Sequence, residues 1–178
     1  MELESPRLRL RHWRPEDRAV FAAINDEPSV RRHLARLTRA GSDAMLDRIE
    51  AHFDRHGWGL WALEERADGR LIGLCGLEHI DWKAFFTPAV EIGWRLSTPW
   101  QGRGLAREAA ETVLSFAFES LELRRVVSVT TPANTASWGL MRRLGMRTLG
   151  EFDHPSLPEG HPLRRQVAYE ILAPNRRH

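Results

Sequence analysis

Cysteine and lysine each occur only once in this 178-residue chain, and each shortage narrows the classes of protein to which it can belong. Cys75 is the single cysteine, so an internal disulfide framework is excluded and a reducing compartment is indicated. Because Cys75 lies within an apolar run, we expect a small core residue rather than a reactive thiol. Lys83 is the single lysine, so nearly all of the 26 basic residues are arginine.

Long apolar runs are also lacking. The longest, at 71–77, is far too short to cross a bilayer, so no membrane span is expected. The N-terminal segment carries Glu2 and Glu4 where a signal peptide would carry bases, which predicts a cytoplasmic protein. The arginines are interspersed with acids and the net charge is only +2, so nucleic acid is not an expected partner.

The length predicts one domain over residues 1–173, followed by a frayed tail at 174–178. Proline and acids at 15–17 predict a helix start, and Ser42 is the expected N-cap of a second helix that Gly57 ends. The full pattern predicts strands at about 7–11, 58–65, 71–79, 90–96, 125–131, 148–152 and 166–172, and helices at about 15–24, 42–57, 105–119 and 134–144. This order predicts an α/β domain with a mixed sheet.

The segment 101–106, with the sequence Gln-Gly-Arg-Gly-Leu-Ala, joins a predicted strand to a predicted helix. Its glycines allow main-chain N–H groups to approach a ligand, and the helix N-terminus favours a phosphate. A Walker loop is excluded because no Gly-Lys-Ser/Thr follows, and Arg107 replaces the third glycine of a dinucleotide fingerprint. A turn that only starts the helix, without any ligand, is the alternative.

The same six residues match the Q/R-x-x-G-x-G/A acetyl-CoA loop of the GNAT N-acetyltransferases. Further segments resemble the RimJ/RimL-like branch of that family, which is related to ribosomal-protein alanine and serine acetyltransferases. They follow the family's order along almost the whole chain: 7–11, 91–96, 134–137, 144–146, 158–164 and Tyr169. The resemblance implies an α/β single-domain GNAT fold. Its mixed, mostly antiparallel sheet of about seven strands would be flanked by helices, with a splayed strand pair forming the CoA cleft.

The resemblance also implies which residues bind acetyl-CoA as co-substrate. Three strand residues would pair their main chain with the pantetheine arm: Trp94, Arg95 and Leu96. The whole loop would hold the pyrophosphate, namely Gln101, Gly102, Arg103, Gly104, Leu105 and Ala106. Asn134 would hydrogen-bond the cofactor, and Ser137 would lie near the thioester sulfur.

Acetyl transfer to an amine requires a neutral nitrogen, and the departing thiolate benefits from a proton. Many family members supply that proton from a tyrosine seven residues after the asparagine, but here the position is Met141. Ser137 is therefore the candidate acid, with a hydrogen bond to its own helix backbone as the alternative role. Glu91 is the candidate base, because a lone carboxylate in an otherwise apolar strand is costly to bury unpaired. An outward-facing or salt-bridged Glu91 is the alternative.

We therefore expect an acetyl-CoA-dependent N-acetyltransferase that acylates a primary amine by direct transfer. The acceptor is left open between a protein N-terminus and a small-molecule amine, and a homodimer is possible. A catalytically silent acetyl-CoA-binding regulatory module is the alternative function. His52 and His56 stand four apart on one predicted helix, but no third ligand is evident, so no metal is expected.

Overall fold

All the predicted strands and helices form in the computed structural model, which describes residues 1–174. The strands are β1 (Leu3–Glu4), β2 (Leu8–Arg11), β3 (Leu60–Glu65), β4 (Arg70–Ile80), β5 (Ala89–Leu96), β6 (Arg125–Thr130), β7 (Arg147–Asp153) and β8 (Arg165–Leu172). The helices are α1 (Asp17–Asp26), α2 (Pro28–Arg31), α3 (Arg39–His56), α4 (Leu105–Glu119) and α5 (Thr135–Arg143). β1 and the one-turn α2 are additional to the prediction. Pro174 follows the last strand, and the rest of the predicted tail lies outside the described residues.

The start of α3 differs from the prediction because a different side chain caps it. Thr38 is the N-cap, and its hydroxyl accepts a hydrogen bond from the N–H of Gly41 at 3.0 Å. Ser42 is instead buried within the helix, where its hydroxyl accepts a hydrogen bond from an asparagine of α1. Gly57 ends α3 in the left-handed conformation, as predicted.

The eight strands form one mixed sheet in the order β1-β2-β3-β4-β5-β6-β8-β7. β5 and β6 are the parallel pair, and all other described neighbours are antiparallel. β4 and β5 pair along the whole of β5, whereas β5 and β6 are in register at Glu91 and Val127 alone. The two parallel strands therefore diverge at the centre of the sheet, as the splayed pair of the prediction requires.

The main core lies where α4 and α3 meet the sheet. Trp61 of β3 is fully buried and makes edge contacts with Phe116 of α4 and Phe53 of α3. Cys75 is also fully buried, as predicted, and burial raises the pKa of its thiol, so it is an unreactive core residue. No helix among residues 1–174 is both long enough and apolar enough to span a membrane.

A buried ion network holds β2, β3 and α1 together. Arg11 of β2 donates to both carboxylate oxygens of Asp17, at 2.7 and 3.0 Å, and to Glu64 of β3. All three residues are at most 5% exposed. The carboxylate of Asp17 also accepts the N–H of Arg14, and α1 begins at Asp17, two residues later than predicted.

Candidate active site

The point where β5 and β6 diverge is held by side chains instead of a main-chain ladder. The hydroxyl of Ser128 on β6 donates to the carbonyl of Ile92 on β5 at 2.8 Å. The carboxylate of Glu91 accepts a hydrogen bond from the main-chain N–H of Val129. Beyond these contacts no described strand pairs with the edge of β5 toward Leu96 on the β6 side, which is where the predicted CoA cleft would open.

The loop that joins β5 to α4 begins at Leu96, at the end of this unpaired edge. Gly102 and Gly104 both have left-handed conformations, with φ of 72° and 76°, which glycine adopts without strain. Gly104 is the N-cap residue of α4, and no side chain among residues 1–174 caps that helix. The first N–H groups of α4 therefore lack intrahelical partners at the positive end of the helix dipole. This arrangement can bind a phosphate.

The α4 side of the loop is anchored by residues from the start of the chain. Glu108, in the first turn of α4, accepts hydrogen bonds from the Ser5 hydroxyl at 2.6 Å and from Arg7 Nε at 2.7 Å. Arg7 also donates from Nη1 to the carbonyl of Arg103 at 2.9 Å. These bonds outweigh the effect of partial burial and lower the pKa of Glu108. The loop is thus held in place before any ligand binds.

The β5 side of the loop is anchored by two further side chains. Gln101, a predicted cofactor residue, donates from its amide to the carbonyl of Leu96 at 2.9 Å. Glu27 accepts hydrogen bonds from the hydroxyl of Ser97 and the N–H of Thr98, both at 2.6 Å. The side chain of Gln101 therefore holds the start of the loop against the end of β5. The main-chain N–H groups for a ligand come from the glycines of the loop.

Glu91 faces a second carboxylate across the strand pair. Glu78 of β4 is its direct cross-strand partner, and neither residue forms a salt bridge within 1–174. Burial and then the charge of Glu78 raise the pKa of Glu91 to about 8, against the smaller effect of the Val129 hydrogen bond. Burial also raises the pKa of Glu78, although Arg48 and Arg95 oppose the shift. The arrangement can hold and release a proton near neutral pH.

The predicted residues of α5 lie at its N-terminal end. Asn134 is the N-cap, and its Oδ1 accepts a hydrogen bond from the N–H of Ser137 at 3.3 Å. The hydroxyl of Ser137, on a half-buried residue, forms no hydrogen bond with another described residue, so it is not tied to its own helix. Met141 is 1% exposed and packs in the core, away from any role in proton transfer.

Solved structures and curated proteins resemble this chain over most of its length. An acetyltransferase from Agrobacterium tumefaciens strain C58 superposes with a TM-score of 0.79 at 25% identity, covering 96% of this chain and 94% of that one. RimL, a ribosomal alpha-N-protein acetyltransferase in complex with coenzyme A, has the same fold with a TM-score of 0.77 at 15% identity. That match covers 97% of this chain and 98% of RimL. The uncharacterized N-acetyltransferase YnaD from Bacillus subtilis is 33% identical over 99 residues, which are 55% of this chain and 58% of YnaD.

Comparison of the sequence with models of protein families shows to which family this chain belongs. Residues 7–147 match the family described as the acetyltransferase (GNAT) domain. This chain belongs to the GNAT acetyltransferase family. It is an acyltransferase that acts on an acceptor substrate, and its family uses acetyl-CoA as co-substrate.

The side chain of Arg95 in this GNAT domain points away from the predicted cofactor contact. It is directed toward α1 and α3, where Nη1 donates to Asn25 Oδ1 and the guanidinium lies 5.8 Å from the ring of Phe21. Burial lowers the pKa of Arg95 to about 10, and Glu78 opposes the shift. Its Nε is buried without a hydrogen-bond partner among the described residues. Only the main chain of Arg95 remains for a ligand in the cleft.

Sequence reasoning missed two polar groups of this GNAT site. Glu78 lies in a strand whose other residues are largely apolar, and its pairing with Glu91 depends on a strand register that the sequence does not reveal. Thr131, directly after β6, is 4% exposed and its hydroxyl has no hydrogen-bond partner among the described residues. A buried hydroxyl without a hydrogen-bond partner indicates a place where a ligand could bind, and this indication comes from the structure and not from the sequence.

Proposed function

We propose that this GNAT domain transfers the acetyl group of acetyl-CoA directly to a primary amine. The acceptor is a protein N-terminus or a small-molecule amine, and the order of the sequence motifs supports the RimJ/RimL-like branch. One observation carries the proposal: the parallel strands β5 and β6 separate, and the opening between them leads to the glycine loop at the N-terminus of α4. This opening offers an extended main-chain edge next to an anion site, as a pantetheine arm and a pyrophosphate require.

The proposal assigns cofactor contacts to three parts of the cleft. The main chain of 94–96 pairs with the amide groups of the pantetheine arm, and the N–H groups of 102–106 bind the pyrophosphate. The amide nitrogen of Asn134 donates to the cofactor, because its oxygen is engaged in capping α5. The hydroxyl of Thr131 provides a further polar contact, which would supply the partner that it lacks.

The chemical step forms a bond between the acceptor nitrogen and the acetyl carbon and breaks the bond between that carbon and sulfur. Glu91 takes a proton from the nitrogen, directly or through a water molecule, and Ser137 is the candidate donor to the departing thiolate. Positioning of the amine and thioester supplies much of the rate enhancement, because a bimolecular step becomes effectively intramolecular. Glu91 accepts a proton only when it is ionised, so its raised pKa predicts higher activity above pH 8 than at neutral pH.

Thermal unfolding with and without acetyl-CoA tests the cofactor, with NAD as the control ligand. At about 100 times its Kd, a ligand stabilises the folded state by roughly 2.7 kcal/mol. For a domain of this size, we expect acetyl-CoA to raise Tm by roughly 5–10 °C. An unchanged Tm with acetyl-CoA, or an increase with NAD alone, would contradict the cofactor assignment.

A matched pair of glycine variants locates the binding site. Gly102 and Gly69 both have positive φ, and an added Cβ at either position meets no atom within 4 Å. Gly102→Ala and Gly69→Ala therefore carry the same kind of backbone strain, of about 1 kcal/mol or more. Only Gly102→Ala should reduce the increase in Tm with acetyl-CoA. Equal responses of the two variants would place the ligand elsewhere.

Turnover then distinguishes an enzyme acting on amines from a silent module. Release of free thiol from acetyl-CoA is measured across a panel of peptide N-termini, amino acids and polyamines. Thiol release that depends on one class of amine supports the proposal and identifies the acceptor class. Binding of acetyl-CoA without turnover on any amine would instead support the regulatory module.

A further inference from the structure

Three histidines meet at the end of α3, far along the sequence from the glycine loop. His52 and His56 lie in the last turns of α3, four residues apart and so on one face of the helix. The fold brings His79 of β4 beside them, a third histidine that the sequence spacing did not reveal. One ring nitrogen from each of the three lies within 4.8 Å of the others.

The three imidazole rings are packed against one another. Their centroids are separated by 4.4 Å between His52 and His56, 4.5 Å between His56 and His79, and 5.6 Å between His52 and His79. Three imidazoles on one tetrahedral zinc ion, at about 2.05 Å each, hold their nitrogens about 3.4 Å apart. Small rotations of the side chains would bring the three nitrogens from their present separations, which are at most 4.8 Å, to this distance. The buried ring of Trp58 packs against all three histidines and forms the wall of the cluster.

The hydrogen bonds of His52 determine which of its nitrogens carries a lone pair. Nδ1 lies 2.8 Å from the carbonyl oxygen of Trp58, which can only accept, so Nδ1 carries the proton. Nε2 accepts the main-chain N–H of His79 at 3.2 Å, so its lone pair is engaged by that N–H and is the one available to a metal ion only if this bond is given up. A metal-binding histidine commonly donates its other N–H to a carbonyl in this way. The metal would replace the hydrogen bond from His79, which is at the long end of the usual range.

The cluster also favours the neutral imidazoles that ligate metals. Burial is the main cause that lowers the pKa of both His52 and His79, and repulsion from His56 adds to it. The positive charge of Arg55 acts on His52 in the same direction. His79 is exposed, so an ion can reach the cluster from solvent.

We propose that His52, His56 and His79 form a binding site for a divalent transition metal ion, with Zn²⁺, Ni²⁺ and Co²⁺ as the expected class. Three imidazole nitrogens suit these ions and not Mg²⁺ or Ca²⁺, which prefer oxygen ligands. A fourth position remains for water. The ion would join the end of α3 to β4, and the site is independent of the acetyl-transfer proposal.

The test is direct binding to the full-length protein after treatment with a chelator. Zn²⁺ and Ni²⁺ are titrated by calorimetry, Co²⁺ by its visible absorption, and Mg²⁺ serves as the negative control. We expect one transition-metal ion per chain and at least about 10-fold weaker binding in His79→Ala and in His56→Ala. His33→Ala, which removes a histidine outside the cluster, should bind as the wild type does.

The variants are chosen so that a folding defect cannot imitate the result. His79 is exposed and its ring forms no hydrogen bond with another described residue, so His79→Ala keeps the contacts that His52 makes with the main chain. Unfolding curves of the metal-free variants confirm that they are folded. Absence of Zn²⁺, Ni²⁺ and Co²⁺ binding in the wild type, or equal affinity in the wild type and His79→Ala, would overturn the proposal.

Discussion

Replacement of Glu91 by glutamine should remove a pH dependence of stability that the wild type carries. The pKa of Glu91 is about 8 in the folded state and about 4.5 in the reference state. Because the folded value is raised, the contribution of Glu91 to stability is fully present below pH 4.5 and is lost as the pH rises through 8. Glutamine stays neutral throughout this range, and its oxygen can still accept the N–H of Val129.

The size of the effect follows from the linkage between protonation and folding. Between the two pKa values, each pH unit changes the free energy of unfolding by about 1.4 kcal/mol. From pH 5.5 to 7.5, the wild type should therefore lose about 2–3 kcal/mol relative to Glu91→Gln. In a domain of this size, that difference corresponds to roughly 5–10 °C in Tm.

Urea unfolding at a series of pH values measures this difference without any knowledge of the acceptor. Glu119→Gln, at an exposed position of α4, is the control and should follow the wild type. Glu78→Gln should reduce the pH dependence, because the charge of Glu78 is one cause of the raised pKa of Glu91. If the wild type and Glu91→Gln change in parallel from pH 5.5 to 7.5, the reasoning on Glu91 is refuted.

Two further predictions concern the framework around the site. Arg11→Ala should destabilise the protein by about 3–5 kcal/mol in urea unfolding, because it leaves the buried carboxylate of Asp17 without its salt-bridge partner and removes the shortest ion pair of Glu64. Arg107→Ala, whose partner Glu111 at 2.8 Å is exposed, should cost less than about 1 kcal/mol, and equal losses would contradict the argument. Gly76→Ala should cost at least about 3 kcal/mol, because its Cβ would lie 2.1 Å from a main-chain oxygen. Gly93→Ala meets no atom within 4 Å and should leave the unfolding midpoint within a few degrees of the wild type, so a larger loss there would refute the steric reasoning.

The local parts of the fold were predictable, and the reason is visible in α4. Its start is indicated by Gly104 and its amphipathic pattern continues to Glu119, so both ends match the prediction. The predicted N-cap of α3, Ser42, was wrong because the hydroxyls of Thr38 and Ser42 can both cap a helix. The choice between them depends on Asn25 of α1, which holds the hydroxyl of Ser42 inside the structure.

Two residues that were missed, Glu78 of the candidate active site and His79 of the proposed metal site, depend on contacts between distant segments. Glu78 meets Glu91 through the register of two strands, and His79 meets His52 through the packing of β4 against the end of α3. Each residue has an ordinary local context in the sequence, so no local pattern marks it. The glycine loop was found because it needs only neighbouring residues to form.

The two carboxylates between β4 and β5 are difficult to explain as structural residues. Side by side, Glu78 and Glu91 repel each other when ionised, and burial adds a further cost to each charge. Glutamine at either position would fit the same space without that cost, so stability alone does not favour the pair. Groups that cost stability and lie at a cleft are typical of functional sites. A structural role predicts that Glu91→Gln leaves turnover unchanged, whereas a catalytic role predicts a more stable protein at alkaline pH that has lost activity. Because stability and turnover then change in opposite directions, the same variant distinguishes the two roles.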